Sequence, residues 1–407
     1  MSRLPSAIQP AWPLLKRVHR LLTRWWGVIT RRTSQLSPQS ALPRRAVATS
    51  RELAASEPDS VTLHPGLPAE EIDRPPPYGD PADHGQFASA RRSVVVPHYV
   101  LEMRDGAVAG EYGVVISASG TMDHEISEYF GTKGWREHPI FLAPGLPPTE
   151  RIDGSVVALA TRGGNRNYFH FLLDVLPRWG VLEECLPGFK PDAVYVPREA
   201  RYQEELLSMI GLDDYPIIPV TPARTVRAST LLVPCLTNPS EVAPRWTVEW
   251  LREHLPPVHV ADKPSRIYVT RRGRRNTRRL VQEDTIWPML KQRGFERIDP
   301  GTLTVQEQID HFAAAEVIVG LHGAAMTNLL FARPGVRVLE VFAPTFVKTN
   351  MWAISQNIPD ARYTYLVGGG PRQQSRDRSM TGIQADIDVD PQRFMAAVDR
   401  LEESTDR

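Results

Sequence analysis

The sequence predicts an α/β protein: two facing Rossmann-like domains with parallel sheets, preceded by a small β-rich addition. Three observations carry that prediction. The chain has 407 residues, 42% of them hydrophobic, enough for two to three domains of ~100–200 residues with their own cores. After Ser155, strand-patterned and helix-patterned segments alternate. The alternation runs in two sets that meet at Pro256-Pro257, a natural break.

Residues 1–32 predict a basic amphipathic helix. Leu14, Leu15, Val18, Leu21, Leu22, Trp25, Val28 and Ile29 recur at steps of three and four, with Lys16, Arg17, Arg20 and Arg24 between them. The net charge of +1 hides this arm: residues 1–50 hold nine Lys/Arg and no acid, so the remainder is at −8. Such a helix suits an anionic membrane surface through residues 12–32. Docking on the protein's own surface and a disordered leader are the alternatives. The interspersed Lys and Arg argue against a secretory signal. No apolar run approaches the ~18–20 residues of a membrane-spanning helix. Two cysteines, Cys185 and Cys235, are too few for a disulfide scaffold or a structural zinc site and fit buried thiols in a reducing cytosol.

Residues 33–92 are rich in Pro and Ser and show no sustained period, which predicts a linker. From Ser93 the β-prone runs Val94–Val96, Tyr99–Glu102 and Tyr112–Ile116 predict hairpins opening an acceptor-side domain over 93–257. Strand Val156–Ala160, helix Asn167–Glu184, strand Val194–Pro197, helix Glu199–Ile210, strands Ile217–Val220 and Leu231–Pro234, and helix Arg245–His254 complete it. The second domain, 258–407, alternates strands Arg266–Thr270, Phe295–Ile298, Val317–Gly320, Val336–Phe342 and Arg362–Leu366 with helices Glu283–Arg293, Thr304–Ala314 and Ala324–Phe331. It closes on Pro391–Glu403, with Phe394, Val398 and Leu401 on one face.

Three motifs could carry chemistry. In the first, strand Val317–Gly320 ends in Leu321-His322-Gly323-Ala324 before Thr327-Asn328. Small residues there let backbone N–H groups approach an anion at a helix start, and His322 could bond a phosphate or steady a leaving oxygen. A tight turn alone would also explain the glycine. In the second, six arginines crowd residues 271–279 directly after a strand, and one or two of them could grip a diphosphate with guanidinium forks. In the third, Asn167, His170, Asp174 and Arg178 fall on one helical stripe after Gly163-Gly164. Asp174 can orient the His170 imidazole, and the pair can take a proton from an acceptor hydroxyl, although a buried structural pair would have the same spacing. Glu340 closes strand Val336–Val341 and could hold a ribose hydroxyl or form a salt bridge. Asp386, Asp388 and Asp390 lack a neighbouring His and are not read as metal ligands.

Together Asn167-Tyr168-Phe169-His170 with Asp174, Pro177 and Arg178, then Tyr268-Val269-Thr270-Arg271 with Arg278 to Glu283, then Gln308 and His322-Gly323-Ala324 through Thr327-Asn328, resemble glycosyltransferase family 61. The resemblance covers roughly residues 93–370. It implies a GT-B fold and inverting transfer from a nucleotide-sugar, most simply a UDP-sugar, to a hydroxyl of a glycan or lipid-linked glycan, as in bacterial capsular polysaccharide synthesis. Carried onto this chain, His170, Asp174 and His322 are the candidate catalytic residues, with the base open between His170 and Asp174. Arg271, Arg278, Glu283, Gly323, Ala324, Thr327, Asn328 and Glu340 are candidate donor contacts; Asn167 and Arg178 lie on the acceptor side. The chain departs from the family at Gln282-Glu283, where Asn-Glu is usual, and at Thr270, where Ser is usual. No metal ligand and no further cofactor is assigned, and the metal requirement stays open. The expected location is cytoplasmic, on the inner face of the plasma membrane.

Two other classes compete. A dinucleotide-dependent oxidoreductase would need Gly-x-Gly-x-x-Gly after a strand, which this chain lacks. A non-catalytic, membrane-associated polyanion- or polysaccharide-binding protein could be built on the arginine loop. Nucleic acid is disfavoured, because aromatics are not interleaved with the arginines and the rest of the domain is not basic.

Overall fold

The computed structural model describes residues 11–36, 40–271, 278–369 and 386–403. Of these, residues 15–36, 40–70 and 95–239 form an N-terminal unit and residues 11–14, 71–94, 240–271, 278–369 and 386–403 a C-terminal unit.

A ten-stranded mixed sheet forms the N-terminal unit. Its parallel part pairs Thr149–Ala158 with Ala193–Val196 and Thr225–Pro234, and Ala193–Val196 with Ile217–Pro219. Two of these strands run several residues earlier than their apolar runs suggested. The leading residues Thr149–Asp153 are exposed or half-exposed, so they carry no hydrophobic pattern. The expected hairpins are antiparallel additions: Tyr99–Arg104 and Ala107–Ala109 lie against Thr225–Pro234, followed by Val114–Ile116 and Thr121–Asp123.

In this unit His138 is fully buried, its Nδ1 accepting the Ile140 N–H at 3.1 Å while Nε2 has no partner among the described residues. Burial, and then the neighbouring His124, push its pKa down from 6.5 to about 3. The unfolded chain binds this proton below 6.5 and the folded chain only near 3, so the stability contributed by neutral His138 is complete above 6.5 and falls as pH drops through that window. The expected slope is about 1.4 kcal/mol per pH unit. His138→Asn keeps an oxygen for the Ile140 cap and does not titrate. Urea denaturation at several pH values should show wild type losing stability faster than this variant below 6.5. Parallel curves would count against the argument. Asp123, raised to about 6 by burial, works in the opposite direction in both proteins and cancels in the comparison.

Six parallel strands form the sheet of the C-terminal unit, in the order Glu296–Ile298, Arg266–Val269, Val317–Leu321, Arg337–Phe342, Arg362–Val367 and Tyr78–Asp80. Five of these agree with the apolar runs to within about a residue or two. Thr304 caps helix Val305–Ala314 reciprocally with Glu307, and Phe394, Val398 and Leu401 of the last helix sink into the core.

The sixth strand corrects the linker expected over 33–92. That stretch holds helix Ser50–Ser56 and strand Val61–Pro65 in the N-terminal unit, and strand Tyr78–Asp80 and helix Gly85–Ala90 in the C-terminal unit. These elements are short and bury at most one or two residues each, so no period develops. Phe87 stacks on Tyr365 at 4.4 Å. A Cβ at Gly79 would meet the Tyr365 ring at 2.0 Å, and Asp80 pairs with Arg393 at 2.7 Å.

The division between the units also falls at 239/240 rather than at Pro256-Pro257. Helix Arg245–His254 belongs to the C-terminal unit, where Arg252 Nη1 donates to the carbonyls of Leu330 and Ala332 at 2.7 and 2.9 Å.

Candidate active site

In the C-terminal sheet the chain leaves strand Arg266–Val269 for the edge strand on one side and returns to Val317–Leu321 on the other. The segments after these two neighbouring strands therefore part, and such a switch point is where open parallel sheets take ligands. Arg271 follows the first strand and His322 the second.

His322 is buried, with Nδ1 at 2.6 Å from Glu340 Oε1, and its ring stacks on Phe342. A carboxylate only accepts, so Nδ1 donates and Nε2 keeps the lone pair. Burial, with the positive charges of Arg278 and Arg271, holds the His322 pKa below the ordinary value, although Glu340 pulls it upward. The imidazole is neutral at pH 7. Glu340 is fully buried and its other oxygen accepts from the Tyr363 hydroxyl. Of the two roles open to Glu340, the geometry has the internal pair: one oxygen holds His322 from behind and the other meets Tyr363.

Arg278 carries the strongest signal in the site. Its side chain is 93% buried, lies over the Phe346 ring at 4.7 Å, and leaves Nε and Nη1 without a hydrogen-bond partner among the described residues. Burial first and then the like charge of Arg271 push its pKa down to about 9. A buried guanidinium with unused donors is costly unless an anion meets it. Arg271 lies alongside, with Nη1 reaching the His322 carbonyl at 3.4 Å. Residues 272–277, which hold three of the six loop arginines, lie outside the described residues.

Gly323 allows this crowding. A Cβ there would come within 1.6 Å of Arg271 Nη1, the mobile end of a long side chain. Gly323→Ala should therefore displace the guanidinium without disturbing the fold. The expected result is roughly 10-fold weaker nucleotide binding by calorimetry at an unchanged melting temperature. Unchanged affinity would remove Arg271 from the ligand.

Behind Gly323 runs the 3-10 helix Ala324–Phe331. Ala324 is half-exposed at its start, but Thr327 and Asn328 are fully buried, and Asn328 Nδ2 donates to Gln308 Oε1 at 2.9 Å and to the Ala325 carbonyl. Asn328 thus supports the turn, while the buried Thr327 Oγ1 has no hydrogen-bond partner among the described residues. Glu283 is likewise buried, accepting from Thr270 Oγ1 at 2.5 Å, and so fixes the strand end next to Arg271 instead of reaching a ligand. The neighbouring Gln282 holds the segment near Asp388, accepting the Val389 N–H at 3.1 Å.

A second cluster lies in the N-terminal unit. Asn167 caps the helix start by accepting the Phe169 N–H at 2.9 Å, which gives this acceptor-side candidate a structural task. Helix Tyr168–His170 continues into a π-helical turn, Phe171–Val175, and then helix Pro177–Cys185. Pro177 has no N–H to give, and the wide turn absorbs it; the stripe keeps His170 with Asp174 but does not extend to Arg178. His170 Nδ1 lies 2.6 Å from Asp174 Oδ2, and Asp174 Oδ1 accepts from Asn238 Nδ2 at 3.0 Å. With Asp174 held on both oxygens, His170 Nε2 is the group left for a proton transfer. Gly163, at φ +76°, is needed twice over, because its Cβ would lie 2.6 Å from the His170 ring. Phe130 covers one side of that ring at 5.0 Å, and Arg162 sits over Phe130. Asn238 and Phe130 lie far from the motif in sequence, with no pattern to mark them.

Arg178 is corrected as well. It is fully buried and donates to the carbonyls of Pro234 (2.6 and 2.9 Å) and Ala160 (2.6 Å), tying helix to sheet out of any acceptor's reach. Arg178→Ala should cost about 2–4 kcal/mol of stability, since it leaves buried carbonyls unpaired beside a cavity. Urea titration checks this, and a loss under ~0.5 kcal/mol would contradict it.

No curated protein matches the chain. The profile of the glycosyltransferase 61 family matches residues 168–339, a stretch that contains His170, Asp174, Arg271, Arg278 and His322. Over that stretch the chain belongs to glycosyltransferase family 61, and the protein is a glycosyltransferase.

Proposed function

We propose that the protein is an inverting, GT-B-type transferase that moves a sugar from a UDP-sugar to a hydroxyl of a glycan of the capsular or exopolysaccharide class in the cytoplasm. In this reading the C-terminal unit binds the donor and the N-terminal unit the acceptor. The observation that carries it is Arg278, a buried cation with unused donors beside Arg271, His322 and the Gly323 turn. A diphosphate supplies the anionic, fork-matching oxygens that this group lacks. The neutral His322 then meets negative charge, which favours its protonated form and a hydrogen bond from Nε2.

In the transfer, His170 Nε2 accepts the acceptor's hydroxyl proton while that oxygen bonds to the anomeric carbon. The bond from the anomeric carbon to the diphosphate oxygen breaks, and the nucleoside diphosphate leaves with the electron pair. Asp174 steadies the imidazolium formed. Attack from the face opposite the leaving group inverts the anomeric configuration. The test incubates the protein with a panel of nucleotide-sugars and polysaccharide fragments, and follows nucleoside diphosphate release and the anomeric proton coupling of the product. Acceptor-dependent release with an inverted linkage is expected. Release with retained configuration, or none with any donor, would sink the reading.

A further inference from the structure

The helix Trp12–Thr33 is amphipathic in an inverted sense. The residues it turns toward the N-terminal unit are small or polar: Thr23, Gly27, Thr30 and Ser34, at steps of four, three and four, are all buried. Thr30 Oγ1 donates to the Phe141 carbonyl at 2.9 Å and Trp26 Nε1 to the Leu142 carbonyl at 3.2 Å. A Cβ at Gly27 would come within 3.1 Å of Phe141 Cβ, and Arg31 lies over the Trp135 and Phe141 rings. Surface helices ordinarily bury their apolar stripe. Here that stripe faces solvent: Trp25 is 76% exposed, Leu22 60%, Ile29 53% and Val18 43%. A contiguous apolar face of this kind marks an interaction surface.

We propose that this face docks the protein on an anionic lipid bilayer, the helix lying flat in the headgroup boundary. Charge decides between a lipid and a protein occupant. The helix carries no Asp or Glu, and Arg17 and Arg24 flank the stripe, whereas Arg20 turns back to the Gly131 carbonyl. Arg17 and Arg24 are exposed. Long cationic side chains bordering a buried apolar face suit phosphate headgroups, and the outward Trp25 suits the headgroup–acyl boundary. The contacts to Phe141 and Leu142 hold the helix by its back, so the body need not unfold to present the stripe. Among the described residues no helix is long and apolar enough to cross a membrane. The inference does not depend on the sugar-transfer reading.

Vesicle flotation of the full chain tests it, with phosphatidylcholine vesicles that either contain or lack roughly one third phosphatidylglycerol. The parent should float with the anionic vesicles and at least ~10-fold less with the neutral ones. Leu22→Gln/Trp25→Gln should abolish flotation at an unchanged melting temperature, since both residues point outward. Arg17→Gln/Arg24→Gln should lower flotation on anionic vesicles alone, which keeps the test open if the first variant folds poorly. A parent that stays down with both vesicle types, or variants that float as the parent does, would overturn the proposal. So would a parent dimer that the Leu22/Trp25 variant converts to monomer without any flotation, since a second copy would then cover the face.

Discussion

Replacing His170 with alanine is expected to lower turnover ~10²–10⁴-fold while leaving nucleotide affinity close to that of the parent. The size follows from the geometry. His170 Nδ1 is committed to Asp174, and Asp174 is committed to Asn238, so a single nitrogen of the cluster is left to take a proton. His170→Gln fills the same space without supplying a base of suitable strength and should be nearly as slow. Because no side-chain base then meets the acceptor's proton, residual activity should rise with pH, as hydroxide replaces the imidazole. Full activity in the alanine variant would take His170 out of the mechanism. A parallel loss of UDP affinity would instead say that the cluster only supports the fold.

Arg278→Ala should have the other large effect, weakening nucleoside diphosphate binding by about 10- to 100-fold, the equivalent of one or two charge-assisted hydrogen bonds. Its signature is a split between affinity and stability. The guanidinium is 93% buried with two nitrogens that have no hydrogen-bond partner among the described residues, so removing it should leave the melting temperature unchanged or raise it. A residue that merely held the fold together would behave in the reverse way. Arg278→Lys should recover little, because an ammonium cannot present the planar fork. Equal UDP affinity in the parent and the alanine variant would empty this site of its proposed ligand.

Much of the sheet architecture was legible, because both sheets are made of strands whose buried residues form continuous apolar runs. Val317–Leu321 is buried at every position, and Arg337–Phe342 at all but the first. What stayed hidden were elements whose stability comes from partners distant in sequence. Tyr78–Asp80 is a three-residue edge strand with no period of its own, and it is held by Tyr365 and Arg393 nearly three hundred residues later. The site shows the same division. His170 with Asp174 could be read from a helical step of four, and His322-Gly323 from a strand running into a small-residue turn. Sequence spacing cannot distinguish a carboxylate or amide that meets a ligand from one that holds another side chain. Glu340, Glu283 and Asn328 are of the second kind, each buried on an internal side chain, and the Arg178 guanidinium is likewise buried on backbone carbonyls. Arg278 could not be separated from its neighbours in a run of arginines until its burial against Phe346 was known.

A nucleoside diphosphate is expected to occupy the Arg271, Arg278 and His322 site. The most direct test is thermal unfolding of the parent and of Arg278→Ala against UDP, GDP, CMP, dTDP, NAD, NADP and a DNA oligonucleotide. A ligand at a hundred times its dissociation constant stabilises by about 2.7 kcal/mol, which raises the melting temperature by several degrees in units of this size. Such a shift is expected with UDP in the parent, lost in the variant, and none with NAD, NADP or DNA. A shift with a dinucleotide or DNA in place of UDP, or equal UDP shifts in both proteins, would contradict that occupancy.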